Sequence, residues 1–173
     1  MLFRAAMIVA GLLSGAPAFA GDVRIDIKGI RSDSGAIMIG VYDTEAGFLS
    51  AIKRSGEAGL LNDPLRVAGL ALRARPGERS VILPQLPPGR YAIIAFHDAN
   101  DDGKLNESPW GVPTEGYGFS NGATAFLTAP TFDAAAFDVG PDGAVETSMS
   151  LVYPREQALA PQEDGQPSPG EVR

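Results

Sequence analysis

Short stretches in which apolar and polar side chains alternate constrain the fold of this 173-residue chain more than any other sequence feature. Alternation at residues 23–28, and again at 145–153, is typical of strands with one buried face and one solvated face. Similar segments recur along the chain, separated by turns rich in glycine and proline, and no long helical pattern interrupts them. The sequence therefore predicts an all-β fold, an antiparallel Greek-key β-sandwich of about six to seven strands with one short helical turn.

Two hairpins are expected from the short turns in the first half of the chain. The turn at residues 31–35 should pair strand 23–28 with the apolar run 36–42. A Pro-Gly turn should likewise pair residues 70–75 with residues 80–83. These pairings would place each strand beside its neighbour in sequence.

The most apolar strand is predicted at residues 90–98, where neither face carries a solvated pattern. Its second face must be covered, and residues 111–121 are the nearest candidate. Residues 84–89 precede it and should form a corner, because their three prolines lack amide hydrogens. Residues 130–137 predict the short helical turn, whereas residues 50–65 are expected to be loop.

The two ends of the chain differ in composition from the part between them. Residues 1–20 combine an early Arg4, an uncharged apolar run and small residues before Gly21, which predicts a signal peptide cleaved after Ala20. Residues 155–173 are rich in Gln, Glu, Pro and Gly and are expected to be disordered. We therefore expect one domain, residues 21–154, in a periplasmic or secreted protein.

The net charge limits the classes of partner that are expected, and the cysteine content limits how the fold can be stabilised. The chain has a formal net charge of −7, and loss of the signal peptide would remove only the positive charge of Arg4. So acidic a protein is not expected to bind nucleic acid or anionic lipid. The first apolar run is too short for a confident membrane span, so no span is expected in the mature chain. The absence of cysteine leaves the core, a metal, or both to stabilise the fold.

Oxygen-bearing side chains alternate directly after the apolar strand, and Gly103 follows them where the backbone must reverse. Carboxylate, amide and carbonyl oxygens are the ligands of hard cations such as Ca²⁺. The spacing thus predicts a calcium site, with the Lys104 residue contributing its carbonyl. The predicted ligands are Asp98, Asn100, Asp102, Lys104 and Asn106.

The predicted calcium site departs from an EF-hand loop at its twelfth position, where Pro109 replaces the usual glutamate. Affinity should therefore be weak, with a Kd on the order of 10⁻⁴ M, unless Glu107 or Glu115 completes the site. The alternative is a turn of Asx residues that holds no metal.

His97 is the only histidine and opens a catalytic alternative. It could act as the base of a weak hydrolase together with Ser120 or Glu115. Asp98 cannot orient the ring of its own neighbour on a strand, and a chain without cysteine or a second histidine lacks ligands for zinc or copper. A buried, hydrogen-bonded His97 is the competing interpretation.

Aromatic residues among glycines follow the acidic loop. They could line a groove for a glycan or peptide, or cap the end of the sandwich. We expect Phe119 and Phe126 to cap, whereas Trp110 and Tyr117 fit either role.

Three sequence blocks, at residues 87–92, 96–106 and 111–121, together resemble the bacterial exported proteins grouped as domain of unknown function 2141. The resemblance extends over residues 22–153. It implies a transthyretin-like, or prealbumin-like, sandwich outside the cytoplasm and no established activity. The combined prediction is a non-enzymatic binding or structural module for a protein or glycan of the cell envelope, with the hydrolase as the alternative.

Overall fold

A computed structural model of the protein describes residues 20–125, 128–141 and 144–153. All of the predicted signal peptide except Ala20, and the whole predicted tail, lie outside the described residues. No helix in the described part of the chain is both long enough and apolar enough to cross a lipid bilayer.

The described residues form two sheets, which confirms the prediction of an all-β sandwich. The strands are β1 (Gly21–Ile30), β2 (Ala36–Tyr42), β3 (Ala68–Arg73), β4 (Gly77–Leu86), β5 (Gly89–Asp98), β6 (Tyr117–Phe119), β7 (Phe137–Val139) and β8 (Val145–Ser150). The first sheet has the order β4-β1-β8 and the second β3-β2-β5-β6, with β7 also paired to β5. The helical segments are α1 (Glu45–Arg54), α2 (Phe132–Ala135) and a 3₁₀ turn (Ser120–Gly122).

Both predicted hairpins are wrong, because each short turn crosses from one sheet to the other. β1 pairs with β4, with Ile25 opposite Val81, whereas β2 pairs with β3 and β5. β2 is buried on both faces along most of its length and therefore lies inside the second sheet. β1 has one buried face, which packs against β2 as the opposite layer.

The first sheet also contains one parallel pair, which the antiparallel prediction did not include. β8 runs parallel to β1, with Val23 opposite Val145. The alternating pattern predicted for β8 is present, since Thr147 and Met149 are buried and their neighbours are exposed.

The corner before β5 is shorter than predicted. β4 continues through Pro84 to Leu86, on an edge of the first sheet where a missing amide hydrogen is tolerated. Its pairing with β1 is irregular there, and Gln85 has a positive φ of 60°. The chain therefore changes sheets at residues 87–88.

A helix, α1, occupies part of the region predicted as loop at residues 50–65. The Thr44 side chain accepts a hydrogen bond from Gly47 N at 3.2 Å, Glu45 lies in the first turn, and Lys53 and Arg54 lie in the last. These are favourable capping and helix-dipole positions. The helix buries Phe48 and Ala51.

Two apolar clusters lie on opposite faces of β5. Tyr91, Ile93 and Ala95 face the core between the sheets. The other face is covered by α1, α2 and Leu60, and the predicted segment 111–121 contributes Phe119 from β6, which lies beside β5 in the sheet. Burying one large apolar side chain stabilises a fold by roughly 1.5–3 kcal/mol, so these clusters dominate the stability. The outer cluster contains Tyr42, Phe48, Ala51, Leu60, Ala92, Ile94, Phe96, Leu105, Phe119, Phe132, Ala135 and Ala136.

The predicted short helical turn is α2, and the structure confirms it. Thr131 Oγ1 accepts a hydrogen bond from Ala134 N at 3.2 Å and so caps the turn. Phe132 is buried and packs edge-on against Phe48, with ring centroids 6.0 Å apart.

The chain after β8 crosses to the second sheet. Tyr117 N donates to Val152 O at 3.0 Å, and Val152 N donates to Tyr117 O at 2.8 Å. A Cβ atom at Gly118 would lie 2.7 Å from Ser150 O, so glycine is needed for this close crossing.

Candidate functional site

Asp98 organises the acidic loop, which we define as residues 98–106. It is the last residue of β5 and is fully buried. Its Oδ1 accepts a hydrogen bond from Asp102 N at 3.1 Å and its Oδ2 accepts one from Gly103 N at 2.7 Å. Gly103 has a φ of +79°, so the backbone reversal predicted at this glycine is present.

Three of the predicted ligand side chains meet at one point. Asp102 Oδ2 accepts hydrogen bonds from Asn100 Nδ2 at 3.1 Å and from Asn106 Nδ2 at 2.9 Å. Asp102 Oδ1 accepts from Lys104 N at 2.9 Å. The hydrogen bond from Asn106 and those from Lys104 N and Asn100 lower the pKa of Asp102. The carboxylate is therefore held in its ionised form.

Glu115 connects the two ends of the acidic loop through hydrogen bonds to the main chain. Its Oε1 accepts a hydrogen bond from Ala99 N at 2.8 Å and its Oε2 accepts one from Asn106 N at 2.9 Å. Burial raises the pKa of this carboxyl; the two amide hydrogen bonds oppose the rise, and the charges of Asp98 and Asp102 add to it. Both oxygens thus hold the backbone, which is the role of a structural acceptor.

Two glycines outside the loop allow neighbouring segments to pack directly against it. A Cβ atom at Gly35 would overlap Asp98 O, and one at Gly59 would overlap Gly103 O. Leu105 N also donates to Ser55 O at 3.0 Å, which joins the loop to the end of α1. The sequence analysis did not predict these contacts. Both glycines have positive φ, and a glycine within a turn is the sequence signal that indicates such a position.

The ligand set predicted for this loop includes amide and carbonyl oxygens as well as carboxylates. Among the residues that the structure describes, no three Asp, Glu, His or Cys side chains are grouped closely enough to hold a metal. The two carboxylates of the predicted set are Asp98 and Asp102, and amide oxygens would supply much of the remainder. Such a set suits a hard cation and gives a site of low charge.

His97 is buried and fully hydrogen-bonded. Its Nε2 lies 2.8 Å from Ser34 O, and its Nδ1 lies 2.8 Å from Tyr153 Oη. A carbonyl can only accept, so Nε2 carries a hydrogen, and in a neutral imidazole Nδ1 then accepts from the tyrosine hydroxyl. Burial raises the pKa of Tyr153, which keeps this hydroxyl protonated.

The structure does not bring His97 and Ser120 together. Ser120 Oγ donates to Ala135 O at 2.6 Å and accepts from Ile93 N at 2.8 Å. Ile93 precedes His97 by four residues along β5, about 13 Å in an extended strand. Glu115 is likewise engaged by two amides. None of the predicted hydrolase pairs is therefore formed by a hydrogen bond.

A short hairpin, residues 107–113, follows the acidic loop and is named here the Trp110 hairpin. Glu107 pairs with Pro113, and Ser108 N donates to Val112 O at 2.8 Å. Gly111 N donates to Ser108 O at 2.9 Å, and Gly111 has a φ of +72°. The side chain at the tip, Trp110, is 89% exposed.

The structure describes two of the three other aromatic residues considered in the sequence analysis. Phe119 is buried and packs edge-on against Phe48 of α1, with ring centroids 5.9 Å apart. Tyr117 is half-buried beside it. Phe126, which was also predicted to cap, lies outside the described residues.

A cavity of about 440 Å³ lies behind the Trp110 hairpin. Its described lining comes from the end of α1, from β5 and β6, from the hairpin and from Ala125, Thr128 and Ala129. Most of these side chains are apolar. The lining residues are Ile52, Ser55, Ile94, Leu105, Glu107, Gly111, Val112, Pro113, Tyr117, Phe119, Ala125, Thr128 and Ala129.

Fold and site together define a class of protein, a two-sheet β-sandwich with an acidic loop and an exposed aromatic hairpin beyond the end of its central strand. The chain belongs to the bacterial family described as "Uncharacterized protein conserved in bacteria (DUF2141)", whose family model matches residues 25–147. The family predicted from the three sequence blocks is thereby confirmed. No curated protein and no solved structure matches the chain.

Proposed function

We propose that this protein is an exported, non-enzymatic module of the bacterial cell envelope, in which the acidic loop holds Ca²⁺ and the Trp110 hairpin binds an envelope glycan. One observation carries the proposal. A loop anchored by Asp98 and Glu115 leads directly into a hairpin that exposes 89% of Trp110. The signal-peptide pattern of residues 1–20 supports export.

The side chains of the acidic loop fit a calcium ion after a small change. The nitrogen and oxygen of an Asn amide exchange places when the group rotates by half a turn. Rotation of Asn100 and Asn106 would turn their oxygens toward Asp102 Oδ2, where they now donate. Three oxygens would then repel one another unless a cation lay between them, and Asp98 and the Lys104 carbonyl are the remaining proposed ligands.

The hairpin supports glycan binding because it presents a flat apolar ring on a fixed backbone. Its hydrogen bonds join residues 108, 111 and 112, and the acidic loop holds its base. An aromatic face binds the apolar face of a sugar ring, and a rigid hairpin loses little entropy on binding. A protein partner is the competing outcome.

A hydrolase based on His97 is the weaker alternative. Both ring nitrogens of His97 are already engaged, and the histidine is 1% exposed. A general base must reach a substrate proton within hydrogen-bond distance. This arrangement favours a structural histidine.

Thermal unfolding tests the calcium part of the proposal. With a Kd on the order of 10⁻⁴ M, calcium at one hundred times that concentration would stabilise the protein by about 2.7 kcal/mol over the protein in chelator. Asp102→Asn should abolish the gain, whereas Asp101→Asn, with the same charge change in the same loop, should keep it. Equal unfolding temperatures with calcium and with chelator would refute the calcium site.

Co-sedimentation with purified cell-wall sacculi tests the glycan part. The intact protein should pellet with the sacculi, and Trp110→Ala should remain in solution. Ile82→Ala is the matched control, since Ile82 is an exposed apolar residue on β4. Sedimentation that is unchanged by Trp110→Ala, or is lost equally in both variants, would contradict the proposed surface.

A further inference from the structure

The cavity behind the Trp110 hairpin has the size and character of a small-molecule site. Its volume of about 440 Å³ lies within the range of ligand pockets, which is roughly 300–1,000 Å³. Apolar side chains from separate parts of the fold, among them Ile52, Leu105 and Phe119, form most of its lining. An apolar group that fills it would be removed from water on several sides.

Glu107 supplies the charge in this lining. No hydrogen bond or ion pair from its carboxylate is found among the described residues. The carboxyl carbon lies 3.4 Å from the position that a Cβ atom would occupy at Gly56, the residue after the C-cap of α1. The Glu107 side chain therefore packs against the C-terminal end of this helix. Ser55, which also lines the cavity, donates its hydroxyl to Ile52 O at 3.0 Å.

We propose that this cavity binds a small amphiphilic cation, whose apolar part fills the cavity and whose ammonium group pairs with the Glu107 carboxylate. The sign of the charge follows from Glu107 and from the net charge of −7, which attracts cations and repels anions. A neutral amphiphile of equal length would keep the apolar contacts and lose the ion pair. An anionic one would place a second negative charge beside Glu107.

This inference goes beyond the proposed function, which concerns a glycan on the outer face of the hairpin. The small-molecule site lies on the inner side, where Val112 and Pro113 contribute to the lining. Trp110 itself is not among the lining residues. The two proposals therefore fail separately.

The test compares three ligands of equal chain length, kept below their micelle concentrations, in the presence of a chelator. These are octyltrimethylammonium, 1-octanol and octanoate. Binding is measured by titration calorimetry. We expect octyltrimethylammonium to bind about tenfold more tightly than 1-octanol, and octanoate to bind most weakly.

Three variants locate the binding. Glu107→Gln should lower the affinity for octyltrimethylammonium about tenfold and leave the affinity for 1-octanol unchanged. Glu146→Gln, on the exposed side of β8, makes the same charge change and should have no effect. Ala129→Phe adds bulk at an exposed position of the lining and should weaken binding of both ligands at least tenfold.

Several results would overturn the inference. Octanoate binding as tightly as octyltrimethylammonium would reject the role of charge, and so would an unchanged affinity in Glu107→Gln. Full binding to Ala129→Phe would place the ligand elsewhere. Absence of octyltrimethylammonium binding to the intact protein would reject the site.

Discussion

The carboxylates of Asp98 and Glu115 each accept hydrogen bonds from two main-chain amides of the acidic loop. Asp98 accepts from the N–H groups of Asp102 and Gly103, and Glu115 accepts from those of Ala99 and Asn106. Four amides are thus satisfied by two buried acids on different segments. The loop is therefore ordered by side chains of the protein itself, and a cation would add to an existing framework.

Glu115→Gln should destabilise the fold by about 1–3 kcal/mol. A glutamine presents one N–H₂ group where Glu115 now offers a second acceptor, so either Ala99 N or Asn106 N would lose its partner. Urea unfolding measures the change. Glu107→Gln is the control, because Glu107 is exposed, and an equal loss in both variants would contradict the role of Glu115.

Gly59→Ala should be more destabilising than Gly122→Ala. Both glycines have positive φ, +69° and +64°, so an alanine costs about 1–2 kcal/mol at either position. Only at Gly59 would the added Cβ also overlap Gly103 O, and relieving that overlap should cost about 1–3 kcal/mol more. Chemical denaturation of the two variants gives the difference directly, and similar losses would show that the segment after α1 does not pack tightly against the acidic loop at Gly59.

The stability contributed by Asp102 should depend on pH. Its pKa in the folded protein is lowered from the ordinary value of 3.8, so the stabilisation is present above that value and is lost as the pH falls through the folded-state pKa. The intact protein should therefore unfold at a higher temperature than Asp102→Asn at neutral pH, in chelator, and the gap should close in strong acid. A gap that does not vary with pH would contradict the hydrogen bonds assigned to this carboxylate.

Tyr153→Phe should destabilise the fold by about 1–3 kcal/mol, because His97 Nδ1 would be buried without its donor. Tyr117→Phe is the matched control, since the Tyr117 hydroxyl makes no hydrogen bond within the described residues. Denaturation of both variants is the measurement. If Tyr153→Phe were as stable as the intact protein, the hydrogen bond at Nδ1 would have to come from elsewhere.

Local pattern was sufficient to predict the features that depend on neighbours in sequence. The two apolar faces of β5, the Thr131-capped turn and the alternation along β8 are all present. Pairing was not predictable in the same way, because the turn at residues 31–35 can join strands within one sheet or between two. In the structure the turn joins strands of different sheets, since β1 pairs with β4 and β2 with β3 and β5.

In the candidate site, too, local features were predictable from the sequence and contacts between distant segments were not. The acidic loop and the reversal at Gly103 follow from the order of residues in one short segment. The contacts of Gly35 and Gly59 with this loop join segments far apart in the chain, and a single sequence carries no register for them. The helix α1 was not predicted, in part because Gly47, a poor helix former, lies within its first turn.

The most direct test of calcium binding at the acidic loop is a calcium titration monitored by amide NMR spectra of the isotope-labelled protein. Binding at the acidic loop should shift the signals of residues 98–106 and 115 in a saturable manner, with a Kd on the order of 10⁻⁴ M, and Asp102→Ala should abolish the shifts. Unchanged spectra at millimolar calcium, or small shifts spread over the acidic surface without saturation, would contradict a calcium site at this end of the sandwich.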